Sequence, residues 1–508
     1  MRQPAGRLPQ ATPTRDDPLP TAHRDAWTVR LATLRSALGH PAGAPVQLRS
    51  SAELAAALAG AIDLADRSQV WLALSVLTGR LPDRTTVVEV SRASEFDGAT
   101  ALAAAVVEGT TDESAAWSLR VASDEVLVDL AHTASTVLTT GIQRVARETA
   151  RRWLAMHGCT PLSWSHGFQS PRELTSPERE RIERGSAEED VAARPEATVV
   201  IPWHATYLLP ELAIEPARTA RLLALAELSP NRTGVIGFDC VPITSAETTQ
   251  HGFAGVFAAN LAAVRSFDRL AAISGAATAE YSGWRSSLSA IGVPGPRIET
   301  VHLPVEVAQS TAEDLASARA RFLVGHLPLV LVVGSHEPRK NHLAVLHAAE
   351  LLWRTGVRFS LSFVGGNSWG SDAFTRRVTD LQRQGRPVDT ESRLSDGHLG
   401  AAYHLARCTV FPSLNEGFGL PVAESLAAGT PSITSSFGSM LEIASGGGAL
   451  TVDPHDDHAI ADAMRLLLED DVAHARLTAE ARGRPVRTWD MYAAELWAYL
   501  VDGTSPQG

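Results

Sequence analysis

The chain has 508 residues, 44% hydrophobic and 20% charged, with a formal net charge of −12. That length is too great for one core and predicts two or three domains of ordinary globular composition. The acidic balance excludes broad nucleic-acid binding, no apolar run reaches the roughly 18 residues of a membrane-spanning helix, and three scattered cysteines (Cys159, Cys240, Cys408) make neither a disulfide nor a metal pattern, which predicts a cytoplasmic protein.

Residues 1–22 are rich in proline and polar residues and predict a disordered tail. Residues 23–120 predict a mostly helical N-terminal extension. Ser50 and Glu53 have capping-box spacing, Leu54, Leu58 and Ile62 recur every fourth residue, and Trp71, Leu74 and Leu77 every third. From residue 121 to 305 strand and helix patterns alternate: strands at 125–130, 198–203, 233–241 and 270–274, helices at 142–156, 216–228 and 253–267. Between the first two units, Pro171–Arg194 is highly charged and reads as a surface loop. Alternation restarts after a polar connector and runs from 306 to 485, with strands at 327–333, 359–364, 408–411, 432–434 and 449–452. Residues 486–508 hold a last helix expected to pack back on the first α/β domain, and a tail. Two successive βα domains predict parallel sheets facing a cleft, with ligands at the C-terminal ends of the strands.

Three stretches carry chemistry. Gly334-Ser335-His336-Glu337-Pro338-Arg339-Lys340-Asn341 follows a buried strand, so Arg339 and Lys340 stand at its C-terminal end. A guanidinium fork and an ammonium together suit a diphosphate, whose leaving charge they would stabilise. The run from Phe411 to Glu424 passes from a strand into a helix opened by Pro421, and Gly429 and Pro431 mark its end. Free N–H groups there favour an anion, and Glu416 and Glu424 bracket the loop. Gly141 follows the first strand and starts a helix on which Arg144, Arg147 and Arg151 share one face, a candidate for anionic lipid.

Glu337-Pro338-Arg339-Lys340-Asn341, Asn415 to Glu424 and Val452-Asp453-Pro454 resemble the second domain of glycosyltransferase family 4, retaining enzymes of GT-B fold. Gly141-Ile142-Gln143-Arg144-Val145, Phe238-Asp239-Cys240-Val241-Pro242 and Ile273-Ser274 resemble the first domain of a subset of that family. The resemblance implies two Rossmann-like βαβ domains facing a cleft, here with a helical N-terminal extension. It implies that Arg339 and Lys340 hold the diphosphate of a nucleotide sugar, Glu416 the hydroxyls of the transferred sugar and Glu424 those of the ribose. Backbone groups of Gly417, Phe418, Gly419 and Leu420 would line sugar and diphosphate, Gly141 would approach the diphosphate, and the base would lie near Arg393–Ser395. Asp239 is the acceptor-side candidate.

The family implies a front-face, retaining transfer without a metal or cofactor, in which the leaving phosphate takes the acceptor's proton. The Glu-Pro-Arg-Lys-Asn variant resembles O-antigen mannosyltransferases, making GDP-mannose the first donor to consider and a glycan or lipid-linked acceptor in cell-surface polysaccharide synthesis the expected partner. Such an enzyme would work in the cytoplasm, with peripheral contact at the inner face of the plasma membrane. The alternative is a non-catalytic sugar-nucleotide-binding or scaffold protein of the same fold, with the helical extension as its partner-binding module.

Overall fold

The computed structural model describes residues 21–41, 47–136, 141–184, 198–304, 306–392 and 394–505. Nearly all of the expected N-terminal tail, the residues just before Gly141, and Arg393 lie outside that set. Residues 21 and 22 already belong to helix Thr21–Ala37.

The chain forms two compact units, one of residues 1–235 with 259–268, the other of residues 236–258 with 269–508. Packing therefore divides the chain upstream of the junction expected near residue 305. The reason lies in residues 269–304, which are held by the C-terminal part of the chain. Arg269 donates to the carbonyls of Tyr499 and Leu500, and the Tyr499 hydroxyl to that of Arg297. The last helix, Trp489–Trp497, is thus tied to this segment.

In the first unit the helical extension is built as its periodicity predicts. Trp71, Leu74 and Leu77 are buried, as are Leu54 and Leu58. Ser50 caps helix Ser51–Ala59 by accepting from Glu53 N, but the Glu53 carboxylate takes the Arg49 N–H rather than closing the box. The extension is no separate module. Leu81 N donates to the Gln169 carbonyl, and Arg84 pairs with Glu227 on helix Pro216–Leu228.

Seven strands follow: β1 (Leu119–Ala122), β2 (Val126–Asp129), β3 (Cys159–Trp164), β4 (Pro171–Glu173), β5 (Val199–Pro202), β6 (Thr206–Leu209) and β7 (Arg232–Gly237). Their order is β1-β5-β4-β3-β2-β6-β7. The segment read as a charged surface loop instead supplies β4, antiparallel to β3 and β5, and helix Ser176–Arg184. Its charges are absorbed locally, since Arg172 makes a two-pronged pair with Glu178.

The second unit opens with the parallel pair β8 (Arg269–Ala272) and β9 (Arg297–Thr300). Six parallel strands then form its main sheet: β10 (Leu329–Val333), β11 (Ser360–Val364), β12 (Val388–Glu391), β13 (Cys408–Phe411), β14 (Ser432–Ser435) and β15 (Ala449–Val452), ordered β12-β11-β10-β13-β14-β15. Alternation along β10 sorts the core into two layers, as a doubly covered sheet requires. Val330 and Val332 pack with Val345 and Leu346 of helix His342–Arg354, whereas Leu329 and Leu331 pack with Phe322, Ala401 and Tyr403. The C-terminal ends of β10 and β13 thereby lie side by side, since those two strands pair.

Candidate functional site

Beyond β10 the chain makes a single 3₁₀ turn, Pro338–Lys340, and beyond β13 it makes the loop that enters helix Leu420–Ala427. The strand pairing brings these two stretches together. Glu416 accepts from Lys340 Nζ at 2.6 Å and from Arg339 Nη1 at 2.6 Å. Arg339 also donates to the Asn415 carbonyl at 2.8 Å and to Glu337 at 2.7 Å. Ser413 donates to Glu416 Oε1 at 2.6 Å, and the Lys340 ammonium lies 5.0 Å from the Phe411 ring centroid.

The electrostatics follow from this crowding. Burial pushes the Glu416 carboxyl up, but Arg339 and Lys340 more than offset it and hold the group at about 2. Burial lowers Lys340, with Glu416 opposing it, while the neighbouring carboxylates outweigh burial and raise Arg339. Two cations therefore share one carboxylate whose further partner is the neutral Ser413 hydroxyl.

The loop itself explains its glycines. Gly419 has φ of +106° at the helix N-cap, in the region that favours glycine. At Gly417 a Cβ would come within 2.4 Å of the Phe238 carbonyl and 2.9 Å of Asp239 Oδ2, so only glycine allows that approach. The backbone N–H groups of Gly417, Phe418 and Gly419 donate to no acceptor among the described residues. Three such donors ahead of a helix N-terminus have the chemistry that suits an anion. Leu420 is the first residue of that helix and Pro421 the second.

Asp239 adjoins this loop. Its carboxylate accepts from Val241 N at 3.1 Å, and burial pushes it up to about 6 although the Arg339 charge pulls it back. Glu280 orders the same segment by accepting from Cys240 N and Thr244 Oγ1. Asn415 Nδ2 reaches Ser245 Oγ at 3.0 Å. Arg339, Lys340, Glu416, Gly417 and Asp239 thus form one constellation in the second unit.

The remaining expected residues stand outside this constellation. Glu424 is 5% exposed and accepts from the Tyr403 hydroxyl at 2.9 Å. Gly141 is exposed as the first residue of helix Gly141–Met156, in the first unit. On that helix Arg147 is buried and Arg151 pairs with Glu148, so the three arginines do not form one free basic face. Asn341 occupies the N-cap position before helix His342–Arg354 without capping it, and its amide instead holds the Pro454 carbonyl at 2.7 Å. That bond joins the first motif to Val452-Asp453-Pro454. His336 is buried against Asn367 Oδ1 at 2.9 Å, and burial lowers its pKa.

Sequence reasoning missed Glu337 and Phe411 as partners of the two cations, and Ser413 as a partner of Glu416. Their positions at the ends of β10 and β13 were the available signal, because strand ends point at the same edge.

Residues 318–484 match the family described as glycosyl transferases group 1. This segment is similar to the group 1 glycosyltransferases. The chain is 32% identical over 197 residues to the O-antigen chain mannosyltransferase B of Escherichia coli, covering 37% of this chain and 51% of that protein. It is 25% identical over 322 residues to the serotype-specific mannosyltransferase WbdA of the same species, covering 61% of this chain and 38% of the relative. It is 33% identical over 222 residues to a D-inositol 3-phosphate glycosyltransferase of Corynebacterium efficiens, covering 42% of this chain and 52% of the relative. The chain therefore spans about half or less of these curated relatives. Among solved structures, Anabaena Alr3699/HepE in complex with UDP-glucose superposes with TM-score 0.54 at 12% identity, covering 74% of this chain and 99% of that one. Sucrose-phosphate synthase from Thermosynechococcus elongatus gives 0.53 at 16% identity, covering 75% and 100%. The fold class is GT-B, α/β with two sheets of mainly parallel strands and added N-terminal helices.

Proposed function

We propose that the protein is a retaining glycosyltransferase that moves a hexose, mannose from GDP-mannose first among donors, to a glycan or lipid-linked acceptor in cell-surface polysaccharide synthesis. The observation that carries this reading is the pairing of Arg339 and Lys340 with Glu416, beside the unpartnered amides of Gly417, Phe418 and Gly419. Cations and amides converge where a diphosphate would sit, and a carboxylate stands ready for sugar hydroxyls. The names of the mannosyltransferase relatives support the choice of sugar.

In this reading an acceptor hydroxyl attacks the anomeric carbon on the face the phosphate leaves. The bond from that carbon to the phosphate oxygen breaks, and the leaving nucleoside diphosphate takes the hydroxyl proton. Arg339, Lys340 and the amides stabilise the charge that grows on the phosphate. Glu416 holds the sugar and Glu424 the ribose, while Asp239 faces the acceptor. Gly141 is a further donor-binding residue in this reading. The two cations do the work a divalent metal does in other transferases, so transfer proceeds in EDTA. The enzyme works in the cytoplasm at the inner face of the plasma membrane.

The test is transfer of labelled sugar from GDP-mannose, with UDP- and dTDP-sugars in parallel, to lipid-linked acceptors, with product configuration read by NMR. Retained linkages are expected. An inverted product overturns the mechanism. Nucleotide-sugar binding without transfer or hydrolysis across donors and acceptors favours the scaffold reading instead.

A further inference from the structure

Two adjacent carbonyls of the site loop are each held by a buried serine. Ser439 Oγ donates to the Glu416 carbonyl at 2.8 Å, and Ser274 Oγ donates to the Gly417 carbonyl at 2.6 Å. Both serines are fully buried. Ser274 is occupied in both its capacities, because its oxygen also accepts from Ala277 N at 3.0 Å as the N-cap of helix Gly275–Ser289. Ser439 lies on helix Gly438–Ala444. The two serine-bearing helices are themselves joined, since the Glu442 carboxylate accepts from Gly275 N and Ala276 N, both at 3.0 Å. Each hydroxyl therefore reaches its carbonyl from a helix that cannot move independently of the other.

The peptide group makes this consequential. It is planar and trans, so its C=O and N–H point in opposite directions. Holding the Glu416 and Gly417 carbonyls on the serine side directs the N–H groups of Gly417 and Phe418 to the other side. Those N–H groups are two of the three without an acceptor among the described residues. Glycine at 417 has no Cβ to restrain its torsions, so the two hydroxyls supply a restraint on these peptide planes that the side chain cannot.

We infer that Ser274 and Ser439 form a two-serine clamp that fixes the amide array for the donor diphosphate. They are positioning residues, acting through the backbone they hold, and the inference rests on the transferase reading only in naming the anion. It also gives a purpose to the Ile273-Ser274 pair that the sequence singled out.

The experiment compares Ser439→Ala and Ser274→Cys, whose thiol is a weak donor of similar size, with Ser274→Thr, which restores a hydroxyl. Each of the first two should raise KM for the nucleotide sugar roughly fivefold with kcat little changed, the scale of one lost hydrogen bond. The double variant should fall short of the product of the two, because adjacent peptides are braced together. Threonine should return KM toward the starting value. Hydrogen exchange of the peptide spanning residues 415–420 should accelerate in Ser439→Ala and Ser274→Cys but not in Ser274→Thr. A lower melting temperature with unchanged KM and unchanged exchange would make the serines merely structural and overturn the clamp. Should the unmodified protein transfer no sugar, the transferase reading fails on its own, and the exchange result alone decides the clamp: acceleration supports it, no change overturns it.

Discussion

Each compact unit carries an arginine among carboxylates, and the two clusters differ in what is left over. In the first unit Arg218 is fully buried and pairs with Asp129 at 2.9 Å and Glu211 at 2.7 Å. The remaining acceptor capacity is consumed by the Tyr207 hydroxyl and Trp164 indole on Asp129, and by His132 N and Thr133 on Glu211. In the second unit the Arg339 side chain is 19% exposed, Lys340 11% and Glu416 10%, and the adjacent amides have no acceptor among the described residues. A saturated network has nothing to offer a ligand and works as a brace. An unsaturated one of the same chemical groups is where a ligand can enter.

The comparison can be broken most directly by exchange of roles. Lys340→Ala should lower transfer by about a hundredfold or more, the scale of losing one charge-stabilising group in a closed site. The labelled-sugar assay measures it, and Glu416→Ala should behave alike with the fold retained. Normal turnover by both variants would remove the site. Arg218→Leu should do the converse. It strands two buried carboxylates, at a cost of about 3–5 kcal/mol, so the melting temperature should fall sharply while turnover per folded molecule persists.

Smaller effects sharpen the picture. Asp239 has its pKa raised from 3.8 to about 6, so the fold favours its protonated form. That contribution is complete below 3.8 and is lost as pH rises through about 6. Asp239→Asn should therefore gain melting temperature relative to the parent as pH rises from about 4 to about 6, and keep that gain at higher pH. Its transfer rate should fall about tenfold if the carboxylate meets the acceptor, one hydrogen bond to a charged group. An unchanged rate with every acceptor would take Asp239 out of the reaction. Glu416 has the opposite sign. Its pKa falls from 4.5 to about 2, so its stabilisation is present above 4.5 and is lost as pH falls toward 2. Glu416→Gln should lower the melting temperature at neutral pH and remove the acid-side loss, so that the two melting profiles converge as pH falls toward 2.

Strands and helices of the second unit were legible because hydrophobic period and punctuation agreed. Cys408–Phe411 and Ala449–Val452 have the bounds expected, and the helix expected from Pro421 begins one residue earlier, at Leu420. In the first unit β1, β3 and β6 escaped, as did β9 in the second, each four to six residues long with weak turn signals. The charge of Pro171–Arg194 hid a strand because Arg172 and Glu178 neutralise each other only in the folded chain. Arg339, Lys340 and Glu416 could be named from the chain as candidates, yet nothing in spacing says that two cations converge on one carboxylate.

What the sequence determined by itself is local: the order of strands and helices, the glycines that a loop needs, and which strand ends carry charge. These depend on side-chain period and backbone torsion, which neighbours along the chain decide. What tertiary structure decided is partnership. Residues 76 apart in the chain, Lys340 and Glu416, meet because β10 and β13 pair side by side. Ser274 and Gly417, 143 apart, meet because only glycine lets the loop lie against Phe238. Hydrogen bonds act over about 3 Å, so such meetings follow from the packing of sheets and helices and leave no trace in any stretch of sequence.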